Sequence, residues 1–380
     1  MIKELTVKNL RSIAEASLSF EKSGIEYRQN NIAQSGLVNP AVIYGDNGSG
    51  KSILLSCFKY LTLVMNYGEQ DLNTVDINPD YILLDDPKRN VAPAPSISVS
   101  FLLSDGAEFV YSISGFMNVI LRETLIVSGF NNGEPIVWRS DNRFRIFDEE
   151  GENEISSSYS AIRKIGNEEY GADRKTRNLI RKCYETMCGL IFAKCNASNA
   201  DVYGKAALSL SPRDLVLDDT YEISKLLTEM SGLPTFDFEA RPDVSGSQTI
   251  WMKFEKGSIP YLLASDGIKS ETKILMAFAL AKLNKESVVV IDEINASIHS
   301  MNVKKMVDLF QREGIQLICS SHDTNLLRYL RPDQVYFATY GKDLHSSFKR
   351  LSDIHPNIRE INNIEAMYRK RVFDSEIDDG

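Results

Sequence analysis

The chain has 380 residues, 43% hydrophobic and 25% charged, which is ordinary for a soluble globular protein of one large domain or two to three smaller ones. Its formal net charge of -9 gives no global pull toward nucleic acid, so such contact would need a local basic patch. Five cysteines, an odd number in a long chain, argue against a disulfide framework. No apolar run approaches the ~20 residues of a membrane helix. The opening Met1-Ile2-Lys3-Glu4-Leu5 lacks the regions of a signal peptide, so a cytoplasmic location with no membrane partner is expected.

Residues 2–7 and 14–20 read as two strands around the tight connection KNLRS, and 21–39 as a polar surface loop. A buried strand at 42–44 leads into GDNGSGKS, residues 45–52, and an apolar helix follows over 52–66. Gly45, Gly50, Lys51 and Ser52 satisfy G-x-x-x-x-G-K-[ST], the phosphate-binding loop, which Asp46, Asn47, Gly48 and Ser49 complete. Glycines let successive backbone N–H groups turn inward into an anion nest, and the helix N-terminus adds its dipole. Lys51 would reach the β- and γ-phosphates of ATP, and the Ser52 hydroxyl would ligate Mg²⁺.

After an irregular stretch at 67–95, alternating strands are expected at 96–103 and 108–115, joined by the turn SDGA, and at 118–127, 135–139 and 143–147. Residues 156–232 have few Gly or Pro, many charges and helical periods, and are expected to form a helical insertion. Within it Arg163, Lys164, Arg174, Lys175, Arg177, Arg181 and Lys182 crowd together, and Arg369, Lys370 and Arg371 form a second basic group; each reads as a solvated face or a working surface. Cys183, Cys188 and Cys195 lack a C-x-x-C pair or matching histidines, and read as core thiols. A strand at 250–254, a helix at 268–284 and a strand at 287–291 follow. Beyond them come a helix at 301–313, a strand at 316–320, a short helix at 324–330, a strand at 334–339 and an acidic tail.

The stretch SVVVIDEI ends a buried strand with Asp292 and Glu293, at the edge where α/β proteins bind ligands. Asp292 would hold Mg²⁺, directly or through water, and Glu293 would polarise an attacking water. Lys51 and Asp292 lie roughly 240 residues apart, so inserted structure interrupts the nucleotide-binding unit.

Ser265-Asp266-Gly267 before a helix, EINASIH after the acids and His322 at a strand end follow in an order that resembles the ABC-type ATPase heads. Together with LTVKNLRSI, these stretches look like the AAA15/AAA21 group, related to the SMC, RecF and OLD heads and found in bacterial antiphage defence. The resemblance implies an α/β fold, an ABC-type P-loop ATPase head with a β-rich lobe and a helical insertion. Its units would be an N-terminal ATPase lobe over 1–155, the insertion over 156–235, a C-terminal ATPase lobe over 236–345 and an extension over 346–380. It implies a dimer, or a higher homo-oligomer, in which Ser265, Asp266 and Gly267 close the partner's phosphate loop. It also implies that Arg11 lies near the nucleotide and that His322 acts as the switch histidine.

The chain departs from the wider pattern in its Q-loop, for which Gln70 is a weak candidate, and in lacking a long coiled coil. Only about 40 residues follow the last expected strand, with no acid cluster of the kind the C-terminal Toprim domain of the OLD nucleases carries, so no nuclease activity of its own is expected. Two functions are therefore expected. The chain is an ATPase sensor and scaffold controlling an effector encoded nearby, or a RecF/SMC-like ATPase that clamps duplex DNA. Net charge favours the first.

Overall fold

The computed structural model describes residues 1–67, 93–116, 118–168, 172–195, 201–205, 207, 211–242, 247–284, 287–360 and 362–373. Gln70, much of the irregular stretch and the acidic tail from 374 lie outside them.

Alternation over much of the first 154 residues builds an eight-stranded antiparallel sheet. Its strands are β1 (Ile2–Leu10), β2 (Ile13–Ser19), β4 (Ser96–Leu102), β5 (Glu108–Phe116), β6 (Val119–Val127), β7 (Val137–Ser140), β8 (Arg143–Ile146) and β9 (Asn153–Glu154), in the order β2-β1-β4-β5-β6-β7-β8-β9. Ile97, Val99, Phe101, Phe109, Tyr111 and Ile113 point to one face and are buried there, as period two requires.

The second sheet has seven strands: β3 (Ala41–Gly45), β10 (Leu190–Lys194), β11 (Asp201–Tyr203), β15 (Val288–Asp292), β16 (Gln316–Ser320), β17 (Val335–Tyr340) and β18 (Ser346–Arg350). The order β11-β10-β15-β16-β3-β17-β18 is parallel throughout except at its two edges. The parallel strands are apolar on both faces, and each face has its own core. Val288 and Val290 face the antiparallel sheet, whereas Val289 and Ile291 face the other way.

Helix α1 (Lys51–Asn66) fills the space between the sheets and is buried on nearly every side, including Leu54, Leu55, Phe58 and Leu61. The far face of the parallel sheet is covered by α6 (Asp266–Lys282) and α7 (Ser300–Arg312). Gln316 ties the two sheets end to end, donating from Nε2 to Ile2 O (2.8 Å) and accepting at Oε1 from Ile2 N (2.6 Å).

The region 156–232 is not wholly helical. It holds α2 (Ala161–Asn167), α3 (Arg174–Cys188), α4 (Pro212–Leu217) and α5 (Ile223–Ser231), but β10 and β11 lie between them. β10 is a full member of the parallel sheet, beside β15. Cys183 and Cys188 enter the core between the sheets, Cys195 the core on the far face, so the three thiols do not form one cluster. A small sheet of β12 (Phe236–Pro242), β13 (Gln248–Phe254) and β14 (Gly257–Pro260) precedes α6. The last helices among the described residues are the short α8 (Leu351–Ile354) and α9 (Ile364–Arg369).

The antiparallel sheet is joined to α2 by a buried ion pair. Glu123 and Arg139 are both fully buried, 3.8 Å apart. Glu123 accepts from Tyr111 Oη (2.9 Å), Ser160 Oγ and Ala161 N (2.8 Å), which caps α2. Arg139 donates to the carbonyls of Asp141, Ser156, Ser157 and Tyr159. Replacing Glu123 with Ala leaves an uncompensated buried guanidinium, at an expected cost of about 3–5 kcal/mol. Urea unfolding should show a lower midpoint with an unchanged slope. A loss below about 1 kcal/mol would mean that the pair is solvated in the folded protein.

Candidate nucleotide site

The loop between β3 and α1 is shaped by its glycines. Gly45 has φ +151°, and a Cβ there would stand 2.2 Å from Ala338 O; Gly50 has φ +97°, and a Cβ would stand 2.4 Å from Ser346 Oγ. The backbone can therefore curl against β17 and β18 only without side chains at these two positions. Asp46, Asn47 and Gly48 form the exposed rim, while Ser49 and Lys51 are buried. Lys51 Nζ folds back over the loop and donates to Gly45 O and Asp46 O, both at 2.8 Å. Burial holds its ammonium below the usual lysine range, against the opposing pull of Asp292, Asp46 and Glu293.

The C-terminal ends of β3, β15 and β16 lie side by side, which brings the acids to the loop. Asp292 is almost fully buried, and its Oδ1 accepts from Ser52 Oγ (3.1 Å) and Ser320 Oγ (2.8 Å). A hydroxyl and a carboxylate so close together are hard oxygen donors suited to Mg²⁺. Among the described residues no group of three or more His, Cys, Asp or Glu could hold a metal by itself. The ion that fits this pair is one that keeps water or phosphate ligands of its own.

Glu293 adopts φ 59°, a left-handed conformation that costs a non-glycine residue about 1–2 kcal/mol, and its N–H donates to Ser320 Oγ at 2.7 Å. This turn separates the Glu293 side chain from that of Asp292. His322 follows β16, and its N–H is held by Asn295 Oδ1 at 2.9 Å. Burial, and next the Lys51 charge, push its imidazole below the usual histidine value, with Glu293, Asp46 and Asp292 opposing. Lys51, Ser52, Asp292, Glu293 and His322 thus share one neighbourhood.

Arg11 lies in the β1–β2 turn with φ 52°. The next residue fixes that turn to the loop. Ser12 Oγ is 2.7 Å from Ser346 Oγ, Ser346 N donates to Ser12 O at 2.6 Å, and Ser346 packs on Gly50. Ser265 caps α6, accepting from Ile268 N at 3.4 Å, and a Cβ on Gly267 would lie 2.7 Å from Ser297 O. Among the described residues no hydrogen bond or ion pair joins Ser265, Asp266 or Gly267 to residues 45–52. Asp266 instead faces outward, its side chain 86% exposed.

The basic groups are partly occupied. Arg163 bonds the carbonyls of Asn66 and Tyr67, Lys164 that of Glu154, and Lys182 pairs with Asp105. Arg174, Lys175 and Arg181 are exposed on α3. Arg369 pairs with the buried Glu365 and bonds Thr324, while Tyr368 stacks on Phe337 at 5.3 Å, so α9 is packed beneath the segment after His322.

Ser320, Asn295, Ser346 and Lys194 were not singled out in sequence. Ser320 had a signal, as a small polar residue ending an apolar strand one step before His322's segment. Lys194 had one too, since LIFAK repeats the pattern of VVVID, an apolar run ending in a charge.

Two family models match the chain. AAA_23, an AAA domain, covers residues 4–186. AAA_21, an AAA domain whose description includes the words "AbiEii toxin, Type IV TA system", covers residues 218–328. No curated protein matches. Solved structures of similar shape include the SMC head domain from Thermotoga maritima, at 13% identity and TM-score 0.45 over 92% of this chain and 98% of that one. An Smc head bound to the C-winged helix domain of ScpA shares 15% identity, with TM-score 0.48 over 93% and 99% of the two chains. A third, an Smc head with an extended coiled coil bound to the C-terminal domain of ScpA from Pyrococcus furiosus, shares 13% identity, with TM-score 0.48 over 99% of both. One AAA match carries the candidate phosphate loop and the other carries Asp292, Glu293 and His322, and together with the site these residues form, the two matches support an ABC-type ATPase.

Proposed function

We propose that the protein binds and hydrolyses ATP with Mg²⁺ as a homodimer or larger homo-oligomer, and that it controls a partner effector in antiphage defence. The observation that supports catalysis is the junction of Ser52, Asp292 and Ser320 beneath a phosphate loop whose lysine is already folded inward. Residues 45–52 would cradle the phosphates, with Ser52 and Asp292 holding the ion. When bound, that ion would neutralise charge on the β- and γ-phosphate oxygens. Glu293, turned away from Asp292, would take a proton from the attacking water. His322, kept neutral by its surroundings, would orient the terminal phosphate.

A shared site is supported by the outward-facing Asp266 and by what precedes it. Leu262 and Leu263 are 80% and 75% exposed, an apolar pair next to the start of α6. The effector role rests on the words attached to the AAA_21 model and on the acidic balance of the chain. A duplex-clamping role has one observation in its favour, the exposed face of Arg174, Lys175 and Arg181 on α3.

Glu293→Gln keeps the shape of the side chain but removes the base. ATP should stay bound, turnover should fall by about 10²–10⁴-fold, and ATP should shift the variant to a larger species in light scattering. Subunit mixing tests sharing. Asp266→Arg is preferable to a change at Gly267, where any side chain would strike Ser297 within the same chain. Neither Lys51→Ala nor Asp266→Arg should be active alone. Mixed one to one with random pairing and independent sites, they should recover about a quarter of wild-type ATPase activity. No recovery from folded, exchanged subunits would sink the shared site.

The clamp reading makes its own demand. If α3 lies on duplex DNA, Arg177→Glu with Arg181→Glu should abolish a gel shift that weakens steeply with salt, leaving ATPase activity intact. If the wild type shows no salt-dependent shift, that reading fails.

A further inference from the structure

Lys194 is the last residue of β10, and the parallel pairing of β10 with β15 sets it opposite Asp292. Its ammonium lies 3.5 Å from Asp292 Oδ2, the carboxylate edge opposite to the one that Ser52 and Ser320 engage. The Asp292 side chain is 3% exposed and that of Lys194 is 36% exposed, so the cation covers the carboxylate from the solvent side. The backbone just beyond it is pinned twice. Cys195 N donates to Asp292 O at 3.1 Å, and Cys195 O accepts from Ser270 Oγ at 3.3 Å. Ser270 belongs to α6, so Lys194 is rooted between the strand that bears the acids and the helix that Ser265 begins.

Charge gives this placement a consequence. Asp46, Asp292 and Glu293 all act on Lys51, so three acids stand around the position that a polyphosphate must enter. Lys51 and Lys194 are lysines that lie against these acids, Lys51 on the phosphate-loop side and Lys194 on Asp292 Oδ2. Unit charges a few ångströms apart near a protein surface change a binding constant by about tenfold or more. Without a cation on Asp292, an arriving triphosphate would meet a bare carboxylate.

We infer that Lys194 is a resident counter-ion of the nucleotide site, supplying beside Asp292 the positive charge that a nucleotide meets when no divalent ion is bound. The site can then load nucleotide before metal. This inference rests on the nucleotide-site reading above and adds an order of loading to it.

Calorimetric titration of the full-length protein with ATP, in Mg²⁺ and in EDTA, tests the idea. The wild type should weaken by no more than about tenfold when the metal is removed. Lys194→Met should weaken by at least about a further tenfold in EDTA, yet by less than about threefold in saturating Mg²⁺. Lys194→Arg should follow the wild type. Equal weakening of Lys194→Met in both conditions would overturn the inference, because the lysine would then be a phosphate ligand whatever the metal. No weakening in either condition would overturn it as well. Should Lys194→Met melt early without nucleotide, Lys194→Gln, which keeps a polar end without the charge, carries the same comparison. A wild type that fails to bind ATP even in Mg²⁺, like Lys51→Ala, would instead sink the nucleotide site itself.

Discussion

One carboxylate organises the working edge of this protein. Asp292 receives Ser52 from α1, Ser320 from β16 and Lys194 from β10, and its own strand lies between the last two. A buried carboxylate is tolerable only when its oxygens are satisfied, and here each partner comes from a different element. The same contacts that keep the charge buried therefore fix the spacing of the phosphate loop, the acid pair and the segment bearing His322. Ser320 serves twice, donating to Asp292 and accepting from the Glu293 N–H, so it sets the angle between the two acids.

Much of this was legible in the sequence because it depends on local rules. A glycine loop between strand and helix, and four apolar residues ending in Asp-Glu, each state their conformation within a few residues. β10 was missed for an equally physical reason. LIFAK is a short apolar strand between charged helices, and composition averaged over 156–232 reports the helices. Its partner, β15, lies nearly a hundred residues on, a pairing that no local pattern displays. Arg163 and Lys182 show the complementary error. They read as part of a basic surface, but one stem folds back onto main-chain carbonyls and the other onto Asp105. A charge count cannot tell such residues from free ones.

Three residues in the left-handed region lie in the same neighbourhood. Arg11, Glu293 and Ser297 each take φ between 52° and 61°. Each sits at a reversal: the β1–β2 turn, the exit of β15, and the loop against Gly267. Left-handed non-glycine residues persist only when their surroundings over-determine them, and here those surroundings are strand ends held in register by the sheet. A stiff sheet edge carries short, sharply bent connections, and the bends aim the side chains.

The strand that leads into the phosphate loop is flanked by β16 and β17, elements from the last fifth of the chain. A ribosome releases β3 long before either neighbour exists. At about 5–20 residues per second, the wait is on the order of 15–60 seconds. Through that interval Val42, Ile43 and Tyr44 form an apolar strand with no edge to pair with. The antiparallel sheet, whose strands all lie within the first 154 residues, needs nothing from the C-terminal half for its own pairing. Birth order thus divides the molecule differently from architecture: a sheet that can close early, and a candidate nucleotide site that exists only once β16 and β17 have been made.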